Sequence, residues 1–378
     1  MSRRCKMPTK GPKTLPKRPK KVLGVGVTQT VLDVLRKAYG VEAGMLMSEA
    51  SQASTNAIEI GISAFDYGVL GIGGIPARNF IEIYGKEGVG KTSLLLQMIS
   101  GLQCNGYTVL VMDPKMSVAD DTARAARIGV DTEKVVLLNI ETTEDALDKT
   151  KLMLQELNKK GIKIAFVWDD MGLAPTKAGV LVATTEKQRN KSAKPGDKAK
   201  IMWDFCRTLS GTCYRCGVPM IIVNQLIDNI GGFGGFKSQT TTGGGGVRYA
   251  ARIRIKLTVK CKIKVGDVVV GQEVIAKTEK NAFFKPFQSV LLYLDYQQGY
   301  LDRESTMLNA VDTGVVRKVK GLYSGKRLCD WSNTDMWDLE NRLWPWMNDP
   351  ENYLTGASKP SAVDDELDDF MAVSEDED

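Results

Sequence analysis

Five short and almost uninterrupted apolar runs punctuate the chain: "FIEIY" (80–84), "TVLVM" (108–112), "VVLLNI" (135–140), "IAFVW" (164–168) and "MIIVNQ" (220–225). Runs without polar alternation suit strands covered on both faces. Helical patterns at 91–104, about 118–128, 143–159 and about 197–216 separate them. That order predicts right-handed crossovers and an α/β fold with a mainly parallel sheet and helices on both faces. The later runs "RIRIKLTVK" (252–260), "VVVGQEVIAKT" (268–278) and "SVLLYLD" (289–295) follow without long helices, which predicts antiparallel edge strands. From Gly299 onward a small mixed module carries Trp331, Trp337, Trp344 and Trp346. Four indoles this close could stack on bases, but a small hydrophobic core is the simpler use of them.

Composition narrows the chemistry. The 378 residues contain no histidine, which removes any Ser-His or Cys-His nucleophile and leaves Lys, Asp, Glu, Gln or a bound metal to carry catalysis. Seven scattered cysteines do not form a disulfide framework and point to a reducing compartment, so a cytoplasmic location is expected. Cys213 and Cys216 have metal-like spacing without a second pair, and read as two thiols on a helix. No run approaches a membrane span, and the charged N-terminus lacks an apolar signal core, so no membrane partner is expected. Residues 1–21 hold nine Lys or Arg and no acid, whereas 364–378 hold nine acids and no base. Both ends read as solvated disordered tails, the basic one suited to a polyanion and the acidic one able to compete with nucleic acid for a basic surface.

The stretch "GKEGVGKTS" (85–93) sits between the first core strand and the first core helix and fits G-x-x-x-x-G-K-[ST]. Gly85, Gly90, Lys91 and Thr92 occupy the fixed positions; Lys86, Glu87, Gly88, Val89 and Ser93 complete the loop. Backbone N–H groups there can wrap phosphate oxygens at a helix N-terminus. Lys91 is then expected to reach the β- and γ-phosphates of ATP, and Thr92 to bind Mg²⁺. A second metal-binding group should end a later buried strand. Asp169, closing "KIAFVWD", fits, although buried strands also end in Asp for capping reasons.

Longer segments carry a family likeness. "IEIGISAFDYGVLGIGGIPARNFIEIYGKEGVGKTS" (58–93), "NQ" (224–225), "TTTGGGGVRYAA" (240–251), "EKNAFFKPF" (279–287), "GYLDRE" (299–304) and "GLYSGK" (321–326) occur in the order seen in RecA-type recombinases, which the chain resembles over roughly 28–326. The acidic end resembles phage-encoded members. The resemblance divides the chain into a basic tail (1–27), an N-terminal oligomerisation segment (28–60), an ATP-binding core (61–298), a small C-terminal module (299–350) and an acidic tail (351–378). It implies a DNA-dependent ATPase that forms a helical filament on single-stranded DNA and exchanges strands with homologous duplex, with single-strand-binding and mediator proteins as further partners.

Residue by residue, the resemblance makes Gln225 a sensor of the γ-phosphate and the glycine-rich segment after it a second DNA loop. Its expected contacts are Phe233, Phe236, Lys237, Thr240, Thr241, Thr242, Gly243, Gly244 and Arg248. Such a loop can lay amides along phosphates while its aromatics separate bases, though a plain linker has the same composition. The basic stretch 176–198 resembles the first DNA loop. "TQTVLDVLRKAYG" (28–40) resembles the helix that docks on a neighbour, a pattern shared with ordinary core helices. Tyr249 stands where the family crosses the subunit boundary, and Lys280 matches a cation reaching a neighbour's triphosphate.

Two departures qualify the likeness. Lys115 stands where the family has the Glu that activates water; a protonated Lys cannot accept that proton, so slow hydrolysis is expected. Asp170, beside Asp169, is a candidate substitute base. Ala282 replaces a second cation, with Lys285 nearby. Two other readings therefore stay open: an ATP-binding filament or accessory protein that does not hydrolyse, and a helicase or motor with the same core.

Overall fold

The computed structural model describes residues 25–40, 44, 46–47, 56–184, 196–228, 239–319, 322–324 and 326–348. The chain divides into two units, residues 1–53 and 54–378. In the first, α1 (Val25–Tyr39) is an amphipathic helix whose last-turn Arg36 donates from Nε to the Gly44 carbonyl at 3.2 Å. Leu32 is buried, while Val27, Val31, Val34 and Leu35 are exposed.

In the second unit a short ribbon, β1 (Ala57–Ile58) with β2 (Ile75–Pro76), precedes β3 (Phe80–Gly85), α2 (Lys91–Cys104), β4 (Thr108–Met112), α3 (Thr122–Ile128), β5 (Val135–Leu138), α4 (Thr143–Lys159) and β6 (Ile164–Trp168). There follow α5 (Lys177–Thr184), α6 (Asp197–Cys216), β7 (Met220–Asp228), β8 (Gln239–Thr241), α7 (Gly245–Ala250), β9 (Ile253–Val265), β10 (Val268–Asn281), β11 (Ser289–Asp295), β12 (Gly299–Leu301), α8 (Asp302–Asp312) and α9 (Asn333–Asn348). The large sheet runs β12-β11-β10-β9-β3-β7-β6-β4-β5, with β8 paired to the far end of β7. From β9 to β5 every pairing is parallel, and β9, β10, β11 and β12 pair antiparallel. This is the mainly parallel α/β sheet with antiparallel edge strands that the apolar runs predict.

Alternation along each strand explains the two cores. In β6, Ala165 and Val167 enter the core built with α2, while Ile164, Phe166 and Trp168 enter the one built with α4 and α6. Strand β7 divides likewise, Ile221 and Val223 to one side and Met220 and Ile222 to the other. Each fully buried large side chain contributes roughly 1.5–3 kcal/mol, which holds the two layers of helices against the sheet. In β3 the pattern is broken by Glu82, fully buried between Ile81 and Ile83. Trp331 and Trp344 join the first core and Trp346 packs against it, whereas Trp337 is 64% exposed. Cys213 and Cys216 lie on α6; burial pushes the Cys213 thiol up to about 12. Among the described residues no helix is long and apolar enough to cross a membrane.

Candidate nucleotide-binding site

Parallel strands deliver their carboxyl ends to one edge of the sheet, and the motif residues gather there. Gly85 at the end of β3 lies in direct register with Gln225 on β7, and β6 ends on Trp168, immediately before Asp169 and Asp170. The phosphate loop turns into α2 through Gly90, which is left-handed (φ 97°) and supplies no side-chain cap. The first N–H groups of α2 are thus left for a ligand. Lys91 is 8% exposed, and its Nζ donates to the carbonyls of Gly85 at 3.0 Å and Lys86 at 2.8 Å. Burial lowers its pKa, with Asp170 and Asp169 pulling it back up. Lys86, Glu87 and Gly88 are exposed, whereas the Val89 side chain belongs to the core.

Thr92 Oγ1 donates to Asp169 Oδ2 at 2.9 Å, so the two residues expected to share a metal already touch. Burial pushes the Asp169 carboxyl up to about 6, and the nearby charges of Asp170 and Asp113 add to the shift, opposed by Thr92 and Lys91. Burial also raises Asp170, while the Gly172 N–H, Lys91, the Gln225 side chain and Lys198 favour its ionised form. Asp170 Oδ1 accepts from Gly172 N at 2.8 Å, and its Oδ2 is buried with no hydrogen-bond partner among the described residues. Crowded acids beside a hydroxyl and an orphaned carboxylate oxygen fit a hard, oxygen-loving divalent ion arriving with phosphates.

Lys91, Thr92, Ser93, Lys115, Asp169, Asp170 and Gln225 line one cleft of about 250 Å³. Lys115 is exposed at its rim, on a turn held by Asp113, whose carboxylate accepts from the backbone of Ser117, Val118 and Ala119. The same cleft is lined by residues that sequence reading passed over. Ser117 Oγ reaches Asp169 Oδ2 at 3.4 Å, and Arg124 Nη1 donates to Ser93 Oγ at 3.0 Å. Leu294 and Tyr296 close it from the antiparallel edge. Behind the loop, Gln272 Nε2 donates to Gly88 O at 3.0 Å and Tyr300 Oη to Gly90 O at 3.3 Å. The runs at 268–278 and 289–295 and "GYLDRE" pointed to this edge of the sheet, but gave Gln272, Leu294 and Tyr300 no role at the loop.

The DNA-directed candidates divide between described and undescribed residues. Phe233, Phe236 and Lys237, with 185–195 of the first basic loop, lie outside the described residues. Thr240 and Thr241 form β8, pairing with Ile227 and Leu226 beyond the cleft. Thr242, Gly243 and Gly244 lead into α7, which carries Arg248 and Tyr249. Lys198, the last residue of the first loop, donates from Nζ to Gly172 O at 2.5 Å. Tyr249 is 77% exposed and packs on Trp203 with centroids 5.6 Å apart. Lys280 Nζ donates to the carbonyls of Arg248 at 3.3 Å and Tyr249 at 3.0 Å, away from the cleft of its own chain.

Residues 27–301 match the family model described as the RecA N-terminal domain. Protein RecA of Bifidobacterium longum (strain NCC 2705) is 30% identical over 290 residues, covering 76% of this chain and 69% of that protein. Protein RecA of Xylella fastidiosa (strain M12) is 29% identical over 313 residues, 82% of this chain and 85% of that protein. The agreement runs far past the phosphate loop, a feature that unrelated nucleotide-binding proteins share, and the chain therefore belongs to the RecA family of recombinases.

Proposed function

We propose that this chain is an ATP-dependent recombinase that assembles on single-stranded DNA and pairs it with homologous duplex in recombination and repair. The observation that carries the reading is the register of Gly85 against Gln225. It sets the phosphate loop beside the strand that runs on into the glycine-rich segment, so a γ-phosphate and that segment share one strand end. Lys91 binds the phosphates from its buried seat, and Gln225 meets the terminal one. Mg²⁺, held by Thr92 and Asp169, would neutralise phosphate charge. Asp170, with an orphaned oxygen in the cleft, is the candidate acceptor for the proton of the attacking water, a role that Lys115 cannot fill.

Tyr249 and Lys280, on the exposed end of α7 and the end of β10, are the residues proposed to meet the next protomer of a filament, Lys280 reaching its triphosphate. Thr240 to Gly244 and Arg248, with Phe233, Phe236 and Lys237, are proposed to hold the strand. Single-strand-binding and mediator proteins, and a cytoplasmic setting, belong to the same reading. The position of Lys115 at the cleft favours one alternative: a family member that assembles with ATP but hardly hydrolyses it. Phosphate release with and without single-stranded DNA, alongside electron microscopy for filaments, separates the two. Filaments with DNA-stimulated release support the recombinase, filaments without release support the alternative, and Lys91→Ala should abolish ATP-dependent DNA binding. Equal binding by that variant would overturn the scheme.

A further inference from the structure

Glu82 is the one acid in the β3 run, and it is 0% exposed. Both its oxygens are engaged: Arg254 Nε on β9 donates to Oε2 at 2.5 Å, and Asn224 Nδ2 on β7 donates to Oε1 at 3.0 Å. Arg254 also reaches Glu279 Oε2 on β10 at 3.3 Å and lies over the Tyr84 ring at 4.7 Å. The Asn224 amide is likewise fully used. Its Nδ2 donates a second time, to Thr242 O at 3.0 Å, while its Oδ1 accepts from Gln225 N at 2.9 Å and from Thr242 Oγ1. The polar chain Thr242–Asn224–Glu82–Arg254–Glu279 thereby joins four strands and the return of the glycine-rich segment.

A buried ion pair is a poor means of gaining stability, because desolvation offsets most of its attraction; apolar residues of equal volume would serve as well. What the fully satisfied network does provide is a single arrangement, since any shift leaves a buried donor or acceptor unpaired. The partner held in that arrangement is Thr242, whose backbone and hydroxyl both end on Asn224, one residue from Gln225.

We propose that Asn224 is a positioning residue that ties Thr242, and with it the return of the second DNA segment, to the Gln225 strand end, with Glu82 and Arg254 as its buried anchor. This rests on the recombinase reading above. A displacement of Gln225 at the nucleotide is then passed to the DNA segment across the side chain of Asn224, a shorter path than the intervening residues. The other end of the chain reaches the seam, because Lys280 follows Glu279 and holds the carbonyl of Tyr249. The network is contiguous and physical; coupling through it is what the experiment measures.

The test compares the full chain with Asn224→Ser, measuring affinity for a single-stranded oligonucleotide with and without ATP and Mg²⁺, and affinity for ATP alone. ATP should stimulate DNA binding about tenfold less in the variant, as expected for two lost hydrogen bonds, with ATP affinity within about twofold. Unchanged stimulation, or DNA affinity reduced equally in both states, overturns the proposal, because simple destabilisation gives the second pattern. Should Asn224→Ser not fold, Thr242→Val, which leaves Glu82 and Arg254 paired, should still lower the stimulation several-fold, and no loss overturns the tether. If ATP fails to stimulate even the wild type, the recombinase reading falls, and amide exchange over 239–245 decides the tether by itself. Faster exchange in the variant supports it, and equal exchange overturns it.

Discussion

Gly90 offers a sharp test of how the phosphate loop is held. It adopts φ 97° and ψ 21°, and a Cβ there would lie 2.5 Å from Leu294 Cδ2 and 2.7 Å from Tyr300 Oη. Neither neighbour can give way easily, since Tyr300 is 3% exposed with its hydroxyl on Gly90 O, and Leu294 is 2% exposed. A left-handed residue bearing a Cβ costs about 1–2 kcal/mol, and overpacking adds about 1–3. Gly90→Ala should therefore cost about 2–5 kcal/mol of the binding-ready loop, a loss of roughly 30- to 4000-fold in ATP affinity at about 1.4 kcal/mol per tenfold. Gly88 is the internal control. It is also left-handed (φ 71°), but a Cβ there meets nothing within 4 Å among the described residues, so Gly88→Ala should cost only the backbone strain, about 5- to 30-fold. Titration with a fluorescent ATP analogue and Mg²⁺, with melting of the nucleotide-free variants in parallel, measures both. Equal losses in the two variants, or Gly90→Ala binding within threefold of wild type, would refute the steric argument.

Two further outcomes follow from charge. Asp66 is 2% exposed and burial raises its carboxyl from 3.8 to about 7, against the N–H groups of Ile60 and Gly61 that favour the anion. Between those values the folded chain holds a proton that the unfolded chain releases, so the contribution of Asp66 to stability is fully present below about pH 4 and is lost as pH rises through about 7. The full span is at most about 4 kcal/mol at about 1.4 per pH unit. Asp66→Asn should flatten that decline in melting curves between pH 4 and 7, and an unaltered slope would remove Asp66 as its source. At the cleft rim, Lys115→Glu should raise ATP turnover at least tenfold, because a positioned base is worth about 10²–10⁴; an equal phosphate-release rate would put the base elsewhere.

Legibility followed distance along the chain. Helices at 91–104 and 143–159 and strands at 108–112 and 289–295 fall where periodicity put them, because burial on both faces leaves no polar interruptions and the breaks carry their own signals. The phosphate loop was equally plain, its chemistry being contained in nine successive residues. Arg124 and Tyr296 left no such mark: one sits in an ordinary helical pattern and the other in a turn, and only the fold brings both to the cleft. Glu82 is the clearest case, since nothing near it in "FIEIY" marks how the one acid of a strand covered on both faces is paired. Its partner lies 172 residues away, and the two meet because Glu82 and Arg254 fall opposite each other in the parallel register of β3 and β9, just as Tyr84 falls opposite Asn224 across β7. A slip of one residue in either ladder would carry Arg254 or Asn224 to the other face of the sheet, among Ile81, Ile83 and Ile255, leaving a charge or an amide unpaired in an apolar core. The polar network therefore locks the register that sets Gly85 beside Gln225, and the nucleotide cleft depends on a contact that no local stretch of sequence encodes.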